Sequence, residues 1–257
     1  MKIKKNLLIF VIILILSILI FIDKNEEEKV VLYGTPIDSW SNSFECENIK
    51  SCDVSYTLVK PDTEKSEGAK LLITKDKQYA GKYSLYSYVP SAKFEGIGST
   101  SKAMVAQKEF IFTSGNTIIA EAWFYIPSSS KGRVTVMDFE NSEKIGNPGI
   151  RFQLQEDMVI FNRDKIKIKP YTFESATNIP YDEWFLMRVE LILGDENNGQ
   201  VKILINNAVV MNEKGATISQ TIKNYDTFQV GITARLDNPY TMWTDEVSVY
   251  INKNNIN

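Results

Sequence analysis

From Val30 onward, no stretch of helical length repeats its apolar residues at a period of about 3.6. Apolar and polar residues alternate one by one instead, in short segments at 70–74, 83–89, 105–112, 118–126, 134–139, 149–155, 158–162, 166–169, 184–193, 201–205, 228–235 and 247–251. Between them lie clusters of Gly, Asn, Asp, Ser and Pro at 128–132, 146–149, 195–199 and 236–239. These residues supply positive φ or end strand pairing, so each cluster reads as a turn. Many short strands, no helix and no internal linker predict an all-β fold, a two-sheet antiparallel sandwich over residues 37–257.

The N-terminus has a different composition. Lys2, Lys4 and Lys5 precede an apolar run from Leu7 to Ile22, broken only by Ser17, and charge resumes at Asp23. No small-residue cleavage site follows the run before Gly34, as a secretory signal would require. Residues 1–29 are therefore expected to form a transmembrane signal anchor, with a cleaved signal peptide as the alternative, and 30–36 a short stalk. The leading lysines put the C-terminal domain outside the cell, at the cell membrane, or secreted if the segment is cleaved. Cys46 and Cys52 are the only two cysteines. In an exported domain they are expected to form a disulfide, with two free thiols as the alternative.

Composition excludes several chemistries. The chain has no histidine, which removes Ser-His-Asp and Cys-His nucleophilic sites, imidazole zinc sites and histidine bases. A net charge of −3 without a long basic run argues against nucleic acid. Polar groups on the expected outer strand faces are the remaining candidates. In 118–126, Ala120, Ala122, Phe124 and Ile126 make the apolar side while Glu121, Trp123 and Tyr125 face away. Arg151, Gln153 and Gln155 oppose Ile150, Phe152 and Leu154; Arg188 and Arg235 occupy equivalent outward positions. Arginine, planar amides and aromatic rings suit sugar hydroxyls and pyranose faces, so these eight residues are the candidate ligand-binding set.

Two groups of motifs carry a resemblance. Trp184 to Val189 followed by Asn198-Gly199-Gln200-Val201 resembles the W-x-x-x-x-V…G-x-V pattern of concanavalin A-like (laminin-G-like) jelly rolls, and Phe228–Ile232 and Thr244–Val249 look like their late strands. Phe44-Glu45 and Tyr79-Ala80-Gly81-Lys82-Tyr83-Ser84 resemble the opening strands of carbohydrate-binding modules. The resemblance covers about residues 37–251 and implies a jelly roll whose first and last strands share a structural calcium ion, held by Glu45, Asp245 and main-chain carbonyls near Lys82. Asp245-Glu246 departs from the commoner Asp-Asp.

Enzymes share this fold. The laminarinase-type Glu-x-Asp-x-x-Glu motif is not matched by Asp138-Phe139-Glu140-Asn141-Ser142-Glu143, and no acidic i, i+2 pair lies on a clear strand. A jelly-roll lyase would need a neutraliser and a base, roles that Arg151, Gln153 and Tyr125 or Tyr240 can fill, although the histidine of such lyases is absent. The expectation is a membrane-anchored extracellular domain that binds a carbohydrate or surface polymer without catalysis. The alternatives are a polysaccharide lyase acting on an acidic glycan and a structural or adhesion domain of the cell envelope.

Overall fold

The alternating segments become strands in a computed structural model, which describes residues 38–59, 68–90, 101–235 and 238–252. They lie within one unit, Thr35–Asn257. The anchor expected at 1–29 and the stalk at 30–36 fall outside the described residues. No helix among the described residues is long and apolar enough to cross a membrane.

In chain order the strands are β1 (Ser39–Asn42), β2 (Ser55–Val59), β3 (Lys70–Thr74), β4 (Ser84–Val89), β5 (Ser101–Gln107), β6 (Phe112–Thr113), β7 (Thr117–Tyr125), β8 (Val134–Glu140), β9 (Gly149–Gln155), β10 (Met158–Asn162), β11 (Thr172–Ala176), β12 (Trp184–Ile192), β13 (Gln200–Ile205), β14 (Ala208–Lys214), β15 (Asn224–Tyr225), β16 (Thr227–Arg235) and β17 (Tyr240–Asn252). One sheet runs β14-β13-β12-β7-β17-β4-β3, with β1 also on β17. The other runs β11-β10-β9-β8-β16-β5-β2, and β6 and β15 form a small separate pair. The two large sheets pack through alternate side chains. Phe124 and Phe185 of the eight-stranded sheet and Phe139, Phe152 and Phe228 of the seven-stranded sheet are fully buried in one core. Burying rings of this size supplies much of the apolar area that drives folding.

The first and last strands do lie side by side. β17 changes partner at Glu246, whose φ is 45°. Residues 240–244 pair with β4, whereas residues 247–250 pair with β1. Cys46 and Cys52 are joined, with Cα atoms 5.4 Å apart, inside the span that disulfides bridge.

One expected strand is absent. Residues 166–169 belong to no strand; the 3-10 turn Asp164–Ile166 stands there, followed by Lys167 at φ 60°. The carbonyls of Lys169 and Pro170 accept from the guanidinium of buried Arg163, and Pro170 has no N–H, so a ladder at this place would lack partners. The edge strand appears later, as β11.

Candidate functional site

The outer face of the seven-stranded sheet carries a buried polar cluster, built from the residues that alternate with the core. On β8, Met137 and Phe139 point inward, which leaves Asp138 and Glu140 outward; on β9, Arg151 and Gln153 alternate with Ile150 and Phe152. Register puts Asn162, Arg151, Asp138 and Gln229 directly opposite one another on β10, β9, β8 and β16. With neighbouring strands about 4.8 Å apart, this row spans roughly 14 Å. Asp138 and Glu140 are each 1% exposed, and Gln153, Asn162 and Gln229 each 6%.

Hydrogen bonds tie the cluster together. Gln153 donates to Thr135 Oγ1 at 3.0 Å, and Asn162 donates to Gln153 Oε1 at 3.5 Å. Arg151 Nη2 reaches Asn162 Oδ1 at 3.3 Å and pairs with Asp164 of the 3-10 turn. Gln229 donates to Glu140 Oε2 at 2.8 Å, while Lys165 of the same turn pairs with Glu140 Oε1. The Lys165 ammonium also stands 4.0 Å from Asp138 Oδ2. Burial, reinforced by the charge of Glu140, pushes the Asp138 carboxyl well above the usual carboxylate range, against the opposing pull of Lys165, Arg151 and Lys102. Asp138 and Glu140 are the acidic i, i+2 pair that the sequence analysis did not find on a strand; β8 continues one residue past Phe139 and so includes Glu140.

A cavity of about 970 Å³ adjoins the cluster, near the upper end of ordinary ligand sites. Lys165 lines it and joins it to the acid pair. Lys144, Lys167, Asp195, Ile166 and Ile218 contribute to its walls, so an apolar surface meets charged groups there.

The expected ligand-binding residues divide between two opposite faces. Arg151 and Gln153 belong to the cluster. Gln155 shares their strand and face, but its Oε1 accepts from Arg133 at 2.9 Å. Arg235 is the final residue of β16, paired with Ser101. Glu121, Trp123, Tyr125 and Arg188 lie on the outer face of the other sheet, on β7 and β12. There Arg188 bonds Glu121 at 2.8 Å and Glu190 at 2.9 Å. Tyr79 stacks on Trp123 with ring centroids 3.6 Å apart, and Lys77 sits 4.1 Å from the Tyr125 ring centre. These aromatic groups thus form a bed for the loop at 77–83. A single ligand cannot touch both sets. Asp138, Glu140, Asn162, Lys165 and Gln229 lie outside the expected ligand-binding set; the β8 alternation, continued by one residue to Glu140, marks the acid pair.

Glu45 and Asp245 both grip that same loop. Asp245 Oδ2 accepts the N–H groups of Tyr79 at 2.9 Å and Ala80 at 3.1 Å, and its Oδ1 accepts Glu246 N–H at 2.8 Å. Glu45 Oε1 accepts from Lys82 at 2.7 Å and Tyr83 at 3.0 Å. Burial raises the Asp245 carboxyl, and these amide donors offset part of the rise. All five donors are main-chain N–H groups, so hydrogen bonds fasten the loop to both carboxylates. Among the described residues no three acidic or cysteine side chains converge to hold a metal. A calcium ion here would have to use Glu45 Oε2 or share Asp245 Oδ1 with the Glu246 N–H, completed by main-chain carbonyls.

No family model matches the chain, and no curated protein matches it in sequence. Solved structures do. An endo-β-1,4-glucuronan lyase from the fungus Trichoderma reesei superposes with a TM-score of 0.59 at 14% identity, over 83% of this chain and 95% of that one. The cellulose-induced protein Cip1 gives 0.58 at 14% identity, over 82% and 96%. The alginate lyase AlgAT5, of polysaccharide lyase family 7, gives 0.51 at 10% identity, over 77% and 94%. This chain therefore shares the two-sheet antiparallel sandwich fold of these three structures.

Proposed function

We propose that this jelly roll binds an acidic polysaccharide along the outer face of its seven-stranded sheet and cleaves it by β-elimination. The carrying observation is the row Asn162–Arg151–Asp138–Gln229 beside Lys165 and the adjoining cavity. The shared fold of two lyases supports the reaction type by analogy only. Arg151, steadied by Asn162, would neutralise a uronate carboxylate and so acidify the C5 proton. Lys165, once its ammonium proton has passed to the paired Glu140 carboxylate, would take the C5 proton and, again an ammonium, give a proton to the departing O4. The C5–H electron pair becomes the C4=C5 double bond as the C4–O4 bond breaks.

Incubation with glucuronate, mannuronate and guluronate polymers should produce the ultraviolet absorbance of unsaturated uronate ends. That signal should disappear in Arg151→Ala and Lys165→Ala. Binding without turnover is the second reading, favoured because Lys165 and both oxygens of Glu140 are already engaged. Retention on immobilised polymer with no absorbance change would select it. Loss of both signals would overturn the polysaccharide reading.

Two further parts of the proposal rest on sequence. Residues 1–29 anchor the domain outside the cell, so the protein should stay with membranes through carbonate washing. A calcium ion at Glu45 and Asp245 would add to the loop's attachment, and calcium should then raise the melting temperature.

A further inference from the structure

We propose that Asp138 works as a neutral carboxylic acid and, with Arg151 and Gln229, forms the subsite for the carboxylate of a uronate unit. This rests on the polysaccharide reading above and specifies what the cluster recognises.

Three directly opposed residues on β9, β8 and β16 each hold a buried polar atom without a partner: Arg151 Nε, Asp138 Oδ1 and Gln229 Oε1. Buried polar groups are nearly always paired, so three orphans in one row need an explanation. Arg151 Nε is a donor and Gln229 Oε1 an acceptor; Asp138 becomes a donor only when protonated. Two donors and an acceptor match a carboxylate with a hydroxyl beside it on the same sugar ring.

The charges agree. Facing Asp138 are Glu140 on its own strand, Arg151 on β9, Lys165 from the 3-10 turn and Lys102 on β5, with Asp164 paired to Arg151. With Asp138 ionised, three acids offset three cations and an incoming carboxylate meets no net attraction. With Asp138 neutral, one positive charge is left over for a single carboxylate. The acid is also 1% exposed, where an unpaired anion is costly. Arg151 and Lys165, with side chains 16% and 25% exposed, are members of the cluster that reach solvent.

The test is the affinity of the purified protein for a glucuronate tetrasaccharide as a function of pH, with a neutral glucose tetrasaccharide as control. Wild-type affinity should fall about tenfold per pH unit above the raised Asp138 pKa, the slope for one linked proton. Asp138→Asn keeps a donor and cannot ionise, so it should still bind at high pH where the wild type has lost affinity. Asp138→Ala should lose at least tenfold at every pH. An infrared band of a protonated carboxyl that persists above the pH at which ordinary carboxyls ionise, absent from Asp138→Asn, reads the same proton without relying on binding. Binding that is flat with pH in the wild type, or an Asn variant as weak as the Ala variant, overturns the inference while leaving the polysaccharide reading intact. Wild-type protein that binds no uronate at any pH overturns both.

Discussion

Replacing Asp245 by Asn tests how the loop at 77–83 is held. The wild-type carboxylate is fully buried and accepts three amide N–H groups, two on Oδ2 and one on Oδ1. Asparagine has only one oxygen. If it faces Tyr79 and Ala80, its NH₂ confronts the N–H of Glu246; if it flips, two donors are left facing a donor. At least one charge-assisted bond is lost and one buried N–H is stranded, a cost of about 2–3 kcal/mol. Relief from burying a charge, visible in the raised Asp245 carboxyl, returns part of this. The net is about 2 kcal/mol, or roughly 4–8 °C in melting temperature for a domain of this size. Thermal unfolding followed by circular dichroism, in chelator, should show that drop. Equal melting temperatures in chelator would refute the hydrogen-bonded staple, and a deficit seen only in calcium would transfer the role to an ion.

Gly81→Ala should cost about 2–4 kcal/mol in urea titrations, because its φ is 63° and a Cβ would lie 2.1 Å from Glu45 Oε1, displacing the carboxylate that holds Lys82 and Tyr83. The raised Asp138 carboxyl makes a signed prediction for stability. The folded protein holds a proton that the unfolded chain releases near pH 4, so stability from this site should be full below about pH 4 and decline as pH rises to the folded pKa. Urea midpoints should therefore fall less steeply with rising pH for Asp138→Asn than for the wild type, and parallel curves for the two proteins would contradict it. Arg163→Met should lose about 3 kcal/mol, since the buried guanidinium donates to the carbonyls of Pro170 at 2.7 Å, Ala216 at 2.7 Å and Lys169 at 3.1 Å.

Alternation alone was enough to read the fold class and much of the strand set. β3, β9 and β10 fall where period 2 places them, and the inward and outward residues of 120–125 on β7 agree with burial, whereas outward Gln153 of β9 is buried within the polar cluster. The proximity of the chain's two ends was legible too, because Glu45 and Asp245 both meet the loop that the Tyr79-to-Ser84 motif marks. Alternation says only whether a residue faces the core or the solvent. It does not say which of two sheets a strand joins, and so Glu121 and Arg151 look equivalent in sequence although they lie on opposite faces. β14 carries no period-2 signature because most of its residues are exposed and only Met211 is buried. Lys165 joins the cluster from a 3-10 turn, where no strand period applies.

The central claim is that the outer face of the seven-stranded sheet, rather than that of the eight-stranded sheet, meets the glycan. The most direct measurement compares the affinity of Arg151→Ala and Arg188→Ala for a glucuronate tetrasaccharide by calorimetry at one pH. The account predicts a loss of at least about tenfold for Arg151→Ala, the lower end for removing a charged hydrogen-bond donor, and wild-type affinity for Arg188→Ala. Wild-type affinity in Arg151→Ala together with a loss in Arg188→Ala would contradict it.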